Sequence, residues 1–283
     1  MAESYQSAQI VKTASGKQYH IGCAPGDVAD RIILVGDPAR AEKVAARFDS
    51  VEVRRAHREY VTLTGVYKGN PMTVHATGIG VDNTEIAVIE LVQCVEKPTM
   101  IRVGSSGALV EGIDLGDLVI STGSVRLEST STQFVPEGYP AVAHHEVVLA
   151  LIESGQALTD RRYHVGLTAT ACGFYGAQGR NVPGFPPRDP GRPARLGQLG
   201  VKNMEMEASL LFTLGQVAGC RTGAVCAIYA NRDADTFVDS DMKDAAEAAA
   251  IETGLGAMEV LRRMDAARGE EPLWRASHGL GEG

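Results

Sequence analysis

Along this chain, short apolar runs rich in Ile, Val and Thr alternate with segments of helical period. RIILVG (31–36) precedes PARAEKVAARF (38–48), PMTVHATGIG (71–80) precedes TEIAVIELVQCVE (84–96), and TGAVCAIYAN (222–231) precedes KDAAEAAAIETGLGAMEVLRRM (243–264). Strand-then-helix alternation of this kind predicts a sheet covered by helices. The stretch from Val51 to Thr77 instead reads as successive strands, joined at Lys68-Gly69-Asn70-Pro71. Turn residues there predict antiparallel neighbours, so the sheet is expected to be mixed. No internal repeat appears. The Pro/Gly/Arg-rich segment 181–195 (NVPGFPPRDPGRPAR) reads as a long surface loop with a candidate lid role. The end of the chain from Ala267 (ARGEEPLWRASHGLGEG) reads as a loosely held tail.

Composition narrows the class. With 283 residues, 44% of them hydrophobic, the chain can bury a substantial core, and one α/β domain is expected. A net charge of −8 argues against a nucleic-acid surface, so an anion would have to be held locally. The N-terminus has no apolar signal region and no run is long enough to span a bilayer, so a cytoplasmic protein with no membrane partner is expected. Five scattered cysteines without CxxC spacing read as reduced thiols, and seven histidines without ligand spacing predict no transition metal. His144 and His145 precede an apolar helix, where adjacent side chains are expected to diverge.

Several stretches could carry chemistry. In LVGDPARAEKV a strand ends at Gly36, Asp37 caps a helix, Pro38 suits its first turn, and Arg40 lies one turn on. Phosphate fits such a place, and so does an ordinary capped helix. TGIG (77–80) has Asn83 where a dinucleotide fingerprint would carry its third glycine, so a Gly-rich turn is favoured over a nicotinamide site. Arg102 interrupts a buried strand and needs a partner: a carboxylate such as Asp114 or Asp117, or an anion where the strand opens at 104–107. With Arg40 and Arg58 it could hold phosphate. Asn203 is expected to cap a helix with Glu205 and Glu207 in its first turn. These carboxylates complement the helix dipole or accept from sugar hydroxyls. ACGFYGAQGR (171–180) looks built to hold something flat.

These residues in this order resemble the nucleoside phosphorylase-I superfamily, and within it the uridine phosphorylases. The resemblance rests on YHIG, VGDPAR, HRE, TGIG, RVGSSG, GDLVISTGSVRL, FYGAQGR, NMEMEAS and YANR, and spans 19–264, between an N-terminal extension (1–18) and a C-terminal tail (265–283). It implies a single α/β domain with a central, partly barrel-like mixed sheet flanked by helices. Active sites would be shared between subunits of a homo-oligomer, either a hexamer built as a trimer of dimers or a dimer.

Phosphate, as co-substrate, would meet Gly36, Arg40, Arg102 and Ser105, with Arg58 from the neighbour. The ribose would meet Glu205, Met206 and Glu207, with His20 from the neighbour, and the base would meet Phe174, Gln178, Arg180 and Arg232. Arg102, Glu207 and Arg180 would carry the chemistry. No organic cofactor is implied. Some relatives hold K+ between subunits, which here would involve Glu59, Ile79 and Asn83, the last departing from the usual serine. The implied reaction is phosphorolysis of uridine, 2′-deoxyuridine or thymidine in pyrimidine salvage. Asn231 stands where purine-cleaving relatives have an acidic aspartate. Alternatives are a purine nucleoside phosphorylase or a methylthioadenosine/adenosylhomocysteine nucleosidase of the same fold, or a non-catalytic nucleoside-binding protein.

Overall fold

The computed structural model describes residues 7–158 and 161–280; residues 1–6 of the N-terminal extension and 281–283 of the tail lie outside it. The first strand β1 (Arg31–Val35) leads into helix α1 (Pro38–Ala45). Asp37 caps α1 as expected, its carboxylate accepting from the Ala39 N–H at 2.8 Å, with Pro38 where no N–H is missed. A meander follows: β2 (Ser50–His57), β3 (Tyr60–Tyr67) and β4 (Asn70–Ala76), all antiparallel. Lys68 and Gly69 both take positive φ (47° and 75°), the two-residue turn whose twist suits a hairpin. Helix α2 (Val81–Val92) leads to β5 (Thr99–Ala108), and then come β6 (Leu118–Leu127), the short β7 (Ala141–Val142), α3 (His145–Gln156) and β8 (Tyr163–Ala171). The last part comprises α4 (Arg192–Gln198), β9 (Asn203–Glu205), α5 (Ala208–Val217), β10 (Arg221–Asn231), β11 (Thr236–Phe237), the 29-residue α6 (Ser240–Arg268) and α7 (Ser277–Leu280).

All the strands join one mixed sheet. Strand β5 is its hub: it pairs in parallel with β1 and β10 and, at its C-terminal end, antiparallel with β9. Since β9 pairs with β8, β8 with β6, and β6 with β10, five strands close into a barrel while β1, β4, β3 and β2 extend from it. Helices cover both sides. Ile33, Val35, Ile101, Val103 and Val225 pack against α1, α3 and α6 on one side, and Ile32, Leu34, Met100 and Ala224 meet α2 and α5 on the other. Among the described residues no helix is long and apolar enough to cross a membrane.

Four expectations need correction. Asn203 does not cap a helix; it lies on β9, where its amide donates to Ser106 Oγ (2.8 Å) and accepts from Thr168 Oγ1 (2.7 Å), and α5 begins only at Ala208. The Pro-rich segment is not wholly loop, because Pro193 stands in the first turn of α4. The chain end is tied down in part: α6 continues past Met264 to Arg268, Trp274 packs on the core, and its N–H donates to the buried Glu146 at 3.0 Å. Glu146 is also paired with Arg221 and Arg268. Finally, His144 and His145 do not diverge; their rings stack with centroids 4.7 Å apart.

Candidate active site

The C-terminal ends of β1, β5, β9 and β10 open on a cavity of about 690 Å³, the usual place for a ligand in an α/β sheet. It gathers Gly36, Arg40, Arg102, Ser105, Phe174, Gln178, Arg180, Glu205, Met206 and Glu207, with Glu59, Ile79 and Asn83 at one side. Residues separated by up to 171 positions are thus brought to one cavity. Three others do not line it: His20, Arg58 and Arg232.

At the Gly36 end, α1 directs Arg40 inward. Its side chain is buried and its Nε donates to Glu247 of α6 at 2.5 Å, while Nη1 donates to the Val103 carbonyl at 3.3 Å. Arg102 has neither of its expected carboxylate partners. Asp117 binds Arg162 and His164, and Asp114 pairs with Arg162. Arg102 instead donates through Nε to Glu205 (3.0 Å) and through Nη2 to Glu207. Burial acts to lower the Arg102 pKa, but Glu207 and Glu205 outweigh it and raise it further, so the guanidinium keeps its charge. Burial pushes the Glu207 carboxyl up, while Arg102 pulls against that shift.

The two glutamates differ in what remains free. Both oxygens of Glu205 are engaged: by Arg102, by Thr170 Oγ1 (2.5 Å), and by the N–H groups of Glu207 (2.8 Å) and Ala208 (3.0 Å). Glu205 therefore caps α5 from the adjoining strand and steadies Arg102, which places it as an anchor rather than the ribose contact expected of it. Glu207 accepts from Arg102 and from the Gly80 N–H at 2.6 Å. The TGIG turn, with Gly78 and Gly80 at φ 76° and 95°, holds a carboxylate rather than a dinucleotide.

The loop after β8 also lines the cavity. A short turn over Gly176–Gln178 is closed by Gly179 in the left-handed conformation, which puts the buried Gln178 on the cavity wall. Arg180 lies over the Phe174 ring, its guanidinium carbon 3.9 Å from the centroid, and Nε donates to the Phe174 carbonyl at 3.0 Å. One aromatic face is thus covered by the protein's own cation. Burial, reinforced by Arg232, lowers the Arg180 pKa to about 10. Arg232 is displaced from its expected role. Its stem lies over Gly107, Nη2 reaches the Gln178 carbonyl at 3.4 Å, and Nη1 is buried without a partner. It backs the loop from behind.

Asn231 also faces away from the cavity. Its amide donates to the Ile113 carbonyl (3.1 Å) and accepts from the N–H groups of Asp233 and Ala234 (3.0 and 2.9 Å). His20 is held by Glu90, 2.7 Å from Nδ1. Arg58 stands over Tyr19, 4.9 Å from the ring centroid, in a turn where it takes φ 55°. Sequence reasoning missed Tyr229 and Phe237, which both line the cavity. Tyr229 sits at a bulge, since β10 slips one residue against β5 between Ile228 and Ala230. Nothing in a run as apolar as AVCAIYAN signals that slip. Phe237 is an exposed aromatic on the short β11, just after a polar turn, a signal that could have been read.

The chain belongs to the phosphorylase superfamily, whose sequence model matches residues 30–258. It is similar to the uridine phosphorylase of Thermococcus kodakarensis, at 47% identity over 250 residues that cover 87% of this chain and 89% of the relative. It is also similar to the uridine phosphorylase of Escherichia coli, at 35% identity covering 82% and 93% respectively. Among solved structures, a Trypanosoma brucei nucleoside phosphorylase described as showing uridine phosphorylase activity superposes with a TM-score of 0.83 at 27% identity, covering 88% of this chain and 99% of that one.

Proposed function

We propose that this chain is a phosphate-dependent uridine phosphorylase that converts uridine and inorganic phosphate to uracil and ribose 1-phosphate. The observation that carries this reading is that a single cavity is lined by Arg40, Arg102 and Ser105, by Gln178 and Arg180, and by Glu207. Phosphate attacks C1′, the C1′–N1 bond breaks, and uracil leaves with the electron pair. Glu207 accepts from ribose hydroxyls and, with phosphate, favours the positive charge that develops on the sugar. Gln178 and Arg180 bind the leaving base more strongly as it becomes anionic, which is the differential binding that speeds the step. Asn231, with its amide engaged in a turn, offers no acid for a purine leaving group.

Arg58 and His20 line no part of their own chain's cavity, which supports an assembly in which they serve a neighbour's site, in a dimer or a hexamer built as a trimer of dimers. Glu59 and Asn83 both approach Gly78, next to Ile79, and with the Ile79 carbonyl they supply donor types that suit K+ between subunits. The enzyme serves cytoplasmic pyrimidine salvage in this reading. A panel of uridine, 2′-deoxyuridine, thymidine and inosine, with and without phosphate, tests it. Uracil is released from uridine only when phosphate is present; release without phosphate, or a preference for inosine, refutes the proposal.

A further inference from the structure

We propose that Glu247 and Lys43, both outside the cavity lining, are positioning residues for phosphate: Glu247 fixes the Arg40 guanidinium through Nε, and Lys43 keeps that carboxylate from cancelling the arginine's charge. The inference rests on the reading of Arg40 as a phosphate ligand.

Two sides of the guanidinium are pinned, Nε by Glu247 Oε1 at 2.5 Å and Nη1 by the Val103 carbonyl at 3.3 Å. Neither of these acceptors takes up Nη2, and the Tyr229 hydroxyl, which Arg40 also acts on, lies beside the guanidinium on the cavity wall, so a bound anion would meet one edge of a fixed plane next to a neutral hydroxyl. The side chains of Arg40 and Glu247 are 8% and 4% exposed, so this pair lies where charge is poorly screened.

Such a pair has a drawback at an anion site. A buried arginine neutralised by one carboxylate presents little net charge to phosphate. Arg102, the other arginine assigned to phosphate, already faces both Glu205 and Glu207. Lys43 removes the difficulty. It lies three residues beyond Arg40 on α1, on the same helical face, and bonds the second oxygen of Glu247. Asp244 also reaches Lys43, at 3.1 Å, but its side chain is 71% exposed and solvent weakens its effect. Burial acts to raise the Glu247 pKa, yet the bonds from Lys43 and Arg40 outweigh it and lower it. The same contacts with Glu247 and Asp244 raise that of Lys43. One buried carboxylate thus serves two cations, the buried Arg40 toward the cavity and the half-exposed Lys43, which it shares with the solvated Asp244, on the outer side.

The test is steady-state kinetics with phosphate varied at saturating uridine and uridine varied at saturating phosphate, together with thermal melts. Lys43→Met is expected to raise the phosphate KM about three- to tenfold and leave the uridine KM close to wild type, with the melting temperature lowered by roughly 2–6 °C because the buried Glu247 loses one partner. Lys43→Arg restores the wild-type phosphate KM. Glu247→Ala, if it folds, raises the phosphate KM further; Lys43→Met decides the matter if it does not. An unchanged phosphate KM in Lys43→Met, or equal changes in both KM values, overturns the inference. Arg40→Met separates the two levels. If it leaves the phosphate KM unchanged, the assignment of Arg40 to phosphate fails; if it raises that KM while Lys43→Met is silent, only the positioning role fails.

Discussion

Replacing Glu205 by glutamine would separate an anchoring carboxylate from a substrate-binding one. In the structure this buried group accepts from Arg102 Nε, Thr170 Oγ1 and the N–H groups of Glu207 and Ala208. Glutamine retains one acceptor oxygen. Its amide nitrogen could be turned toward Thr170, whose hydroxyl can accept, but it then meets the Ala208 N–H that both carboxylate oxygens now share. The charge opposite Arg102 is lost as well. The amide NH2 facing the buried Ala208 N–H at close range and the weakened buried ion pair together cost about 2–4 kcal/mol, and in a chain of this size that lowers the melting temperature by roughly 5–15 °C. Differential scanning fluorimetry with and without phosphate would measure it, alongside KM values for both substrates. The anchor reading expects a large loss of stability, with reduced kcat/KM following from a loosened Arg102. If Glu205→Gln melts within about 1 °C of wild type and raises only the uridine KM, Glu205 is a ribose ligand and the reasoning fails.

Two further outcomes follow from the site and its support. Gln178→Ala should lower kcat/KM for uridine about a hundredfold and leave the phosphate KM near its starting value, since hydrogen bonds to the base edge are lost without disturbing the anion end; an unchanged kcat/KM would remove Gln178 from base recognition. His75, stacked on Tyr60 and bonded to Thr62, has its pKa lowered by burial from 6.5 to about 3. Because the unfolded chain takes up this proton first, the contribution of a neutral His75 is complete above about pH 6.5 and is lost as pH falls toward 3. Urea unfolding should show about 2 kcal/mol lost between pH 7.5 and 5 that is absent in His75→Asn, and parallel profiles for the two proteins would exclude this role.

How much of this was legible in the sequence depended on how local each determinant is. The junction at Gly36-Asp37-Pro38, the meander from β2 to β4 and the turn at Lys68-Gly69 were readable because their signals lie within a few residues of one another. Asn203 misled because a three-residue strand has no periodicity. β9 exists through its pairing with β5 and β8 and through the amide contacts to Ser106 and Thr168. The partners of Arg102 lie more than 100 positions away, so nearby Asp114 and Asp117 drew attention that Glu205 and Glu207 deserved. Helix α4 was hidden by its proline and its glycine. Gly197 is there for contact, since a Cβ would stand 2.2 Å from the Leu109 carbonyl oxygen, and only the fold reveals that approach. Trp274 seemed part of a tail because Glu146, which receives its N–H, is 128 residues earlier.

The position of β5 at the centre of the sheet divides the cavity into parts of unequal permanence. Arg102 and Ser105 stand on a strand held by β1, β10 and β9, and any change there disturbs the middle of the molecule. Gln178 and Arg180 hang on a surface turn whose main outside support is the backing Arg192 and Arg232 give to carbonyl groups. Under the proposed assignment, descendants of this chain can remodel the turn that would meet the nucleobase while inheriting the strand that would meet the anion.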